Sequence, residues 1–386
     1  MHTAKKTFIV GILLALAFAT AYSYPSGSAL SSRTRSTTSC LSATRMGNLN
    51  SNTSTKHATK SSPASVSDPK DTNLPLHTFR SPFLPLSSNE HEGTLPKTKT
   101  LNALIILNSP IQNPPSPIFT KLWNISSIKI CADGGANRLH CATATAIGTE
   151  SGSATVDVDA YIPDLITGDL DSLHSNVRSY YEERGVNVER DGDQDCNDLD
   201  KALSAIRKLV LKRQDHNQLQ EEQDSDAPIE TIQIYVYGAF GGRFDQEMAS
   251  IQALYKWKDE FDYRIALYND ETCAMLLRPY ARNEIYLPFH SKCMDKINSS
   301  DSSDISDTKE NRVESAARIG EGPTCGLIPI GCLCEGVETE GFKWNLDGSV
   351  PLEFGGLVST SNRAEDSVLV IRCQQPLVFT AEILQP

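Results

Sequence analysis

The sequence has no pair of cysteines at C-x-x-C spacing, no cluster of lysine and arginine, and no internal repeat. Each absence removes a class of function. Without paired cysteines the ten thiols lack zinc-site spacing, although Cys325, Cys332 and Cys334 lie near one another. A chain of 386 residues is also too long to depend on a disulfide framework, so we read the cysteines as reduced core and loop thiols. A formal net charge of −12 leaves no basic face with which to neutralise the phosphates of a nucleic acid, and none is expected as a partner. The apolar stretch from Phe8 to Ala19 is short for a transmembrane helix, so no stable membrane span is expected in the mature chain.

Acidic residues are missing from the beginning, where no Asp or Glu occurs before Asp68. Residues 1–23 carry Lys5 and Lys6, the apolar run, and Ala21-Tyr22-Ser23, the layout of a signal peptide. Residues 24–98 are first rich in Ser and Thr with Arg33, Arg35 and Arg45, then rich in Pro and Ser. They read as a transit-like, disordered leader and linker. The two in series form a bipartite address, which leads us to expect an organellar location, a plastid bounded by extra membranes. The secretory pathway and the cytoplasm are the alternatives.

Beyond residue 98 the chain alternates strands and helices. Unbroken apolar runs at Leu101 to Leu107, Ser127 to Ala132, Tyr161 to Thr167 and Ile232 to Tyr237 have strand length and suit a buried parallel sheet. Between them, helical spacing is clearest from Cys196 to Lys212, where Leu199, Leu203 and Ile206 share a face. The acidic stretch from Asp215 to Asp226 reads as a solvated insertion. Residues 99–282 are therefore expected to form an α/β domain with a parallel sheet and crossover helices. Residues 283–386 change to short strands with turn residues and no long amphipathic helix, the pattern of an all-β sandwich with a polar insertion at 298–311.

Ligands bind open α/β sheets at the carboxyl ends of the strands. Carboxylates collect there: Asp133, Asp169, Asp171, Asp195, Asp198 and Asp245. Magnesium takes hard oxygen ligands, one or two carboxylates together with substrate phosphates, and neighbouring glycines let backbone approach phosphate oxygens. On an extended segment Asp169 and Asp171 point the same way. The same residues also suit humbler tasks. Gly168-Asp169-Leu170-Asp171-Ser172 could be a turn and helix cap, Asp195 and Asp198 could cap the next helix, and Gly241-Gly242-Arg243 could be an ordinary glycine turn.

Taken in order, these segments resemble the thiamine pyrophosphokinase family. The motifs are Cys131-Ala132-Asp133-Gly134-Gly135-Ala136-Asn137-Arg138-Leu139, Gly168-Asp169-Leu170-Asp171-Ser172, Asp193-Gln194-Asp195 and Gly241-Gly242-Arg243-Phe244-Asp245-Gln246. Gly341-Phe342-Lys343-Trp344-Asn345-Leu346 and Phe354 to Asn362 continue the likeness in the second domain, in the eukaryotic form. The resemblance implies transfer of pyrophosphate from ATP to the hydroxyl of thiamine, with Mg²⁺ as cofactor, in a homodimer whose sites lie between subunits. It implies catalytic roles for Asp133, Asp169, Asp171 and Asp195, with the metal held by Asp169, Asp171 and Asp195. Gln194, Asp198, Arg243 and Asp245 are expected at ATP and its phosphates, and Trp344, Ser361 and Asn362 at thiamine.

Overall fold

The computed structural model describes residues 74–84, 99–144, 160–220, 230–291 and 319–385. The signal-like segment, most of the leader, the later part of the acidic insertion and the polar insertion at 298–311 lie outside the described residues.

A six-stranded parallel sheet forms the first half. Its strands are β2 (Lys99–Ile106), β3 (Ile128–Ala132), β4 (Leu165–Gly168), β5 (Asn187–Arg190), β6 (Glu230–Tyr237) and β7 (Ile265–Tyr268), in the order β7-β6-β2-β3-β4-β5. The helices α1 (Pro117–Ile125), α2 (Gly135–Ala144), α3 (Ser175–Glu182), α4 (Asp198–Gln220) and α5 (Phe244–Lys256) make the crossovers. From β2 the chain steps outward through β3, β4 and β5, then returns to the other side of β2 with β6. That reversal opens a crevice at the carboxyl ends of β2 and β6.

Side chains alternate across β2 as the pleat requires. Leu104 and Ile106 enter a core shared with α1 and α2, while Ala103 and Ile105 enter a second core shared with α4 and α5. Ser116 caps α1 by accepting the Phe119 N–H at 3.1 Å, with Pro117 placed where a missing N–H costs nothing.

The remaining strands pair antiparallel, apart from Leu76–Arg80, which runs parallel to its neighbour. β8 (Thr272–Leu277), β14 (Leu377–Leu384), β10 (Gly320–Ile328) and β12 (Ser359–Arg363) extend the same sheet to ten strands. A second sheet, β1-β9-β13-β11, is built from Leu76–Arg80, Arg282–Tyr286, Val368–Arg372 and Glu338–Glu340. Ile285, Leu369 and Ile371 of this sheet share one core with Leu327, Phe379 and Ala381 of the large sheet, which gives the β-rich half its sandwich character.

Three expectations change. The linker of residues 24–98 contains strand β1, paired in parallel with β9 from Leu76↔Arg282 to Arg80↔Tyr286. Its apolar Phe79 is buried, and the surrounding Pro and Ser had masked so short a strand. The divide at residue 282 does not coincide with a break in the sheet, because β8 already pairs with β14. Finally, α4 runs on to Gln220, so the first part of the acidic stretch is helix, in keeping with the good helix propensity of Gln and Leu. Among the described residues no helix is long and apolar enough to cross a membrane.

Candidate active site

A pocket of ≈ 450 Å³ opens at the carboxyl ends of β2, β3, β4 and β6, across the reversal in strand order. Its walls come from five segments: Leu107-Asn108-Ser109, Asp133, Asp169 with Ser172, Gln194 to Lys201, and Gly238 to Arg243 with the start of α5.

Asp133 follows β3 directly and adopts a left-handed backbone, φ 42°. The turn is tight because β3, β4 and α2 crowd together there. A methyl on Gly168 would meet Asp133 Cβ at 2.7 Å, and one on Gly135 would meet the Ile106 carbonyl at 2.2 Å. Asn137, one turn into α2, then pins the loop after β4: its Nδ2 donates to the Ser172 carbonyl at 2.7 Å and its Oδ1 accepts the His174 N–H at 3.0 Å. The loop is thereby placed so that the Ser172 N–H donates to Asp133 Oδ2 at 3.2 Å.

The result is a group of three carboxylates. Ligand oxygens of Asp133, Asp169 and Asp198 all lie within 4.8 Å of one another. Asp133 is 2 % exposed, and its Oδ1 is buried with no hydrogen-bond partner. Burial pushes its carboxyl above the ordinary range, and the charge of Asp169 adds to this against the opposing Ser172 and Gly134 N–H groups. Asp198 is raised in the same direction, first by burial and then by Asp133 and Asp169, with Lys201 opposing. Charges crowded in this way, with an orphan oxygen on a residue that lines the pocket, call for a cation.

The expected residues do not all meet there. Asp198, expected at phosphate, belongs to the carboxylate group, because it is the first residue of α4 and faces the ends of β3 and β4. Asp171 and Asp195, expected as metal ligands, stand outside it. Asp171 is exposed and accepts from Ser172 Oγ at 3.0 Å; Asp195 is exposed, in a bend where its N–H donates to Asp193 Oδ1 at 2.9 Å. The two-residue repeat that pairs side chains on a strand does not operate at Asp169, since β4 ends at Gly168 and Leu170 is left-handed, φ 64°. Gln194 and Arg243 line the pocket. Arg243 forms a two-pronged pair with Asp245, Nε to Oδ1 at 3.0 Å and Nη2 to Oδ2, which raises the guanidinium and lowers the carboxyl.

Trp344, Ser361 and Asn362 form a separate group that does not line the pocket. Trp344 is 57 % exposed, with Lys343 Nζ 4.7 Å from its ring centre. Asn362 is buried and clamps the Trp344 backbone, donating to its carbonyl at 2.9 Å and accepting its N–H at 3.2 Å. Its amide holds the tryptophan in place; Ser361, left-handed at φ 54°, is exposed beside it.

The pocket residues that sequence reading missed include Asn108 and Lys201. Asn108 accepts Arg138 Nε at 2.8 Å and rests against Gly134. Lys201 lies three residues after Asp198, so the helical i, i+3 spacing was the available signal.

Comparison with known proteins gives a consistent family. Residues 119–267 match "Thiamin pyrophosphokinase, catalytic domain" and residues 310–378 match "Thiamin pyrophosphokinase, vitamin B1 binding domain". The chain is 34 % identical over 286 residues to thiamine pyrophosphokinase 2 of Arabidopsis thaliana, covering 74 % of this chain and 87 % of that protein. It is 31 % identical over 318 residues to thiamine pyrophosphokinase 1 of Oryza sativa subsp. japonica, covering 80 % and 98 %. The solved thiamin pyrophosphokinase of Candida albicans superposes with a TM-score of 0.54 at 27 % identity, covering 74 % of this chain and 90 % of that one.

Proposed function

The chain belongs to the thiamine pyrophosphokinase family and transfers pyrophosphate from ATP to thiamine, giving thiamine diphosphate; we propose that it does so in the pocket bounded by Asp133, Asp169 and Asp198. The observation that carries this placement is the buried, unpartnered Oδ1 of Asp133 beside two further carboxylates.

The donor set is all oxygen and suits a hard divalent ion, which we assign as Mg²⁺ held by Asp133, Asp169 and Asp198. Bound there with ATP, Mg²⁺ would supply neutralisation of charge on the phosphate oxygens. The protein's own groups do the rest by positioning. Gln194 and Arg243 line the pocket and would meet the phosphate oxygens, with Asp245 paired to the guanidinium. The oxygen of the thiamine hydroxyl forms a bond to the β-phosphorus, the bond from that phosphorus to the bridging oxygen of AMP breaks, and the hydroxyl proton leaves. Asp171, exposed in the same loop as Asp169, is available to take that proton.

Thiamine needs a ring platform, and the pocket wall formed by one chain does not include Trp344. A second copy of the chain supplies it. Trp344, Val350, Phe354 and Leu357 are all exposed on one stretch of the β-rich half, an apolar surface that pairing covers. The leader sends the protein to a plastid. A fluorescent fusion of residues 1–73 tests the address, and secretion of the fusion would contradict it.

Purified full chain given thiamine, ATP and Mg²⁺ should release thiamine diphosphate and AMP in equal amounts. AMP release without thiamine diphosphate would refute the assignment.

A further inference from the structure

Lys201 has the most unusual setting of any cation at the pocket. Its side chain is 3 % exposed, and lysine is almost never buried without charged partners. It also sits in the first turn of α4, where the positive end of the helix dipole opposes a cation. Carboxylates hold it there: Nζ lies 3.6 Å from Asp198 Oδ1 and 3.9 Å from Asp169 Oδ2. Both separations exceed a hydrogen bond, so the ammonium spans two acids and is committed to neither.

We infer that Lys201 is a positioning residue that holds Asp169 and Asp198 side by side and trims the pocket's charge to the complement of one divalent cation. Three carboxylates and one ammonium sum to −2, from Asp133, Asp169 and Asp198 at −3 and Lys201 at +1. The inference rests on the proposal that this pocket takes a divalent ion, and it adds the group that sets how tightly the ion is held.

Removing the ammonium then has two opposed effects. A pocket at −3 attracts a dication more strongly, because a fixed positive charge within a few ångströms of its ligands has gone. Catalysis suffers at the same time. Asp169 and Asp198 lose the partner that counters their mutual repulsion, and the triphosphate meets a more negative wall. A lysine that merely filled space would behave differently: its loss would loosen the pocket and weaken metal binding and turnover together.

The experiment measures Mn²⁺ binding to the nucleotide-free full chain by the paramagnetic resonance of free Mn²⁺, alongside steady-state kinetics. Lys201→Met should bind Mn²⁺ about tenfold more tightly. Its kcat should fall at least ~10-fold, with the KM for thiamine unchanged. Lys201→Gln, neutral but polar, should move the same way and serves if the methionine variant does not fold. Lys201→Arg keeps the charge and should restore Mn²⁺ affinity to within about threefold of the unsubstituted chain. Equal or weaker Mn²⁺ binding by the neutral variants overturns the inference while leaving the cation site standing. Absence of Mn²⁺ binding by the unsubstituted chain removes the cation site and the inference together.

Discussion

A buried carboxylate of the β-rich half, Glu321, and one of the α/β half, Asp133, are treated in opposite ways. In the β-rich half, Glu321 is fully buried and both of its oxygens are occupied: Oε2 accepts from Ser81 Oγ and Oε1 from Tyr268 at 2.5 Å. In the α/β half, Asp133 is buried nearly as deeply, yet Oδ1 has no partner and two further carboxylates stand within ligand distance. Burial alone therefore says little about function. A closed hydrogen-bond set marks a structural carboxylate, here one that ties the Ser81 segment to the sandwich, whereas an open one beside like charges marks a site awaiting a partner.

The contrast is broken most severely by Asp169→Asn. Loss of one charge from the carboxylate group should cut kcat/KM at least ~100-fold, with the thermal midpoint preserved; steady-state assay and calorimetry together check this. Undiminished turnover would show that the chemistry lies elsewhere. Asp171→Asn sharpens the geometry, since a ligand role predicts loss of Mn²⁺ binding and a proton-accepting role predicts loss of turnover with Mn²⁺ binding intact.

Next in size is Trp344→Ala. An exposed ring serves recognition rather than folding, so the KM for thiamine should rise about tenfold while the KM for ATP and the thermal midpoint stay put. A fall in stability instead would identify Trp344 as packing.

Truncation probes the other carboxylate. Removing residues 1–73 should leave the fold unchanged, whereas removing residues 1–84 deletes β1 and Ser81 and should lower the thermal midpoint by at least ~4 °C. Equal midpoints would mean that β1 adds nothing.

The smallest effect concerns pH. Burial raises the Glu321 carboxyl above the ordinary glutamate range, against the two hydroxyl donors. A group raised in the folded state contributes its stability fully below its unfolded value and loses it as pH climbs through the raised one. Urea midpoints of the unsubstituted chain should thus fall relative to Glu321→Gln as pH rises from the ordinary glutamate range, and parallel curves would contradict the account.

Much of this was legible in the sequence because strand ends are written in local chemistry. Apolar runs located β2, β3 and β6, and the aspartates and glycines just after them located the pocket's floor. What the sequence did not reveal depends on contacts between distant segments. Strand β1 is short and set among prolines, and it gains its place by pairing with β9, some two hundred residues away. That Asp198 rather than Asp195 joins Asp133 and Asp169, and that Asp171 stands outside their group, follows from where β4 stops and α4 starts. The family resemblance implies Asn362 at thiamine; only the fold shows that its amide also engages the Trp344 backbone.

We propose that oxygens from three separated segments converge on one divalent ion. A crystal of the full chain grown with Mn²⁺ and a non-hydrolysable ATP analogue tests it directly through anomalous scattering. The account predicts a manganese peak bounded by Asp133, Asp169 and Asp198; a peak at Asp171 and Asp195 with Asp133 unliganded, or no peak in this pocket, would contradict it.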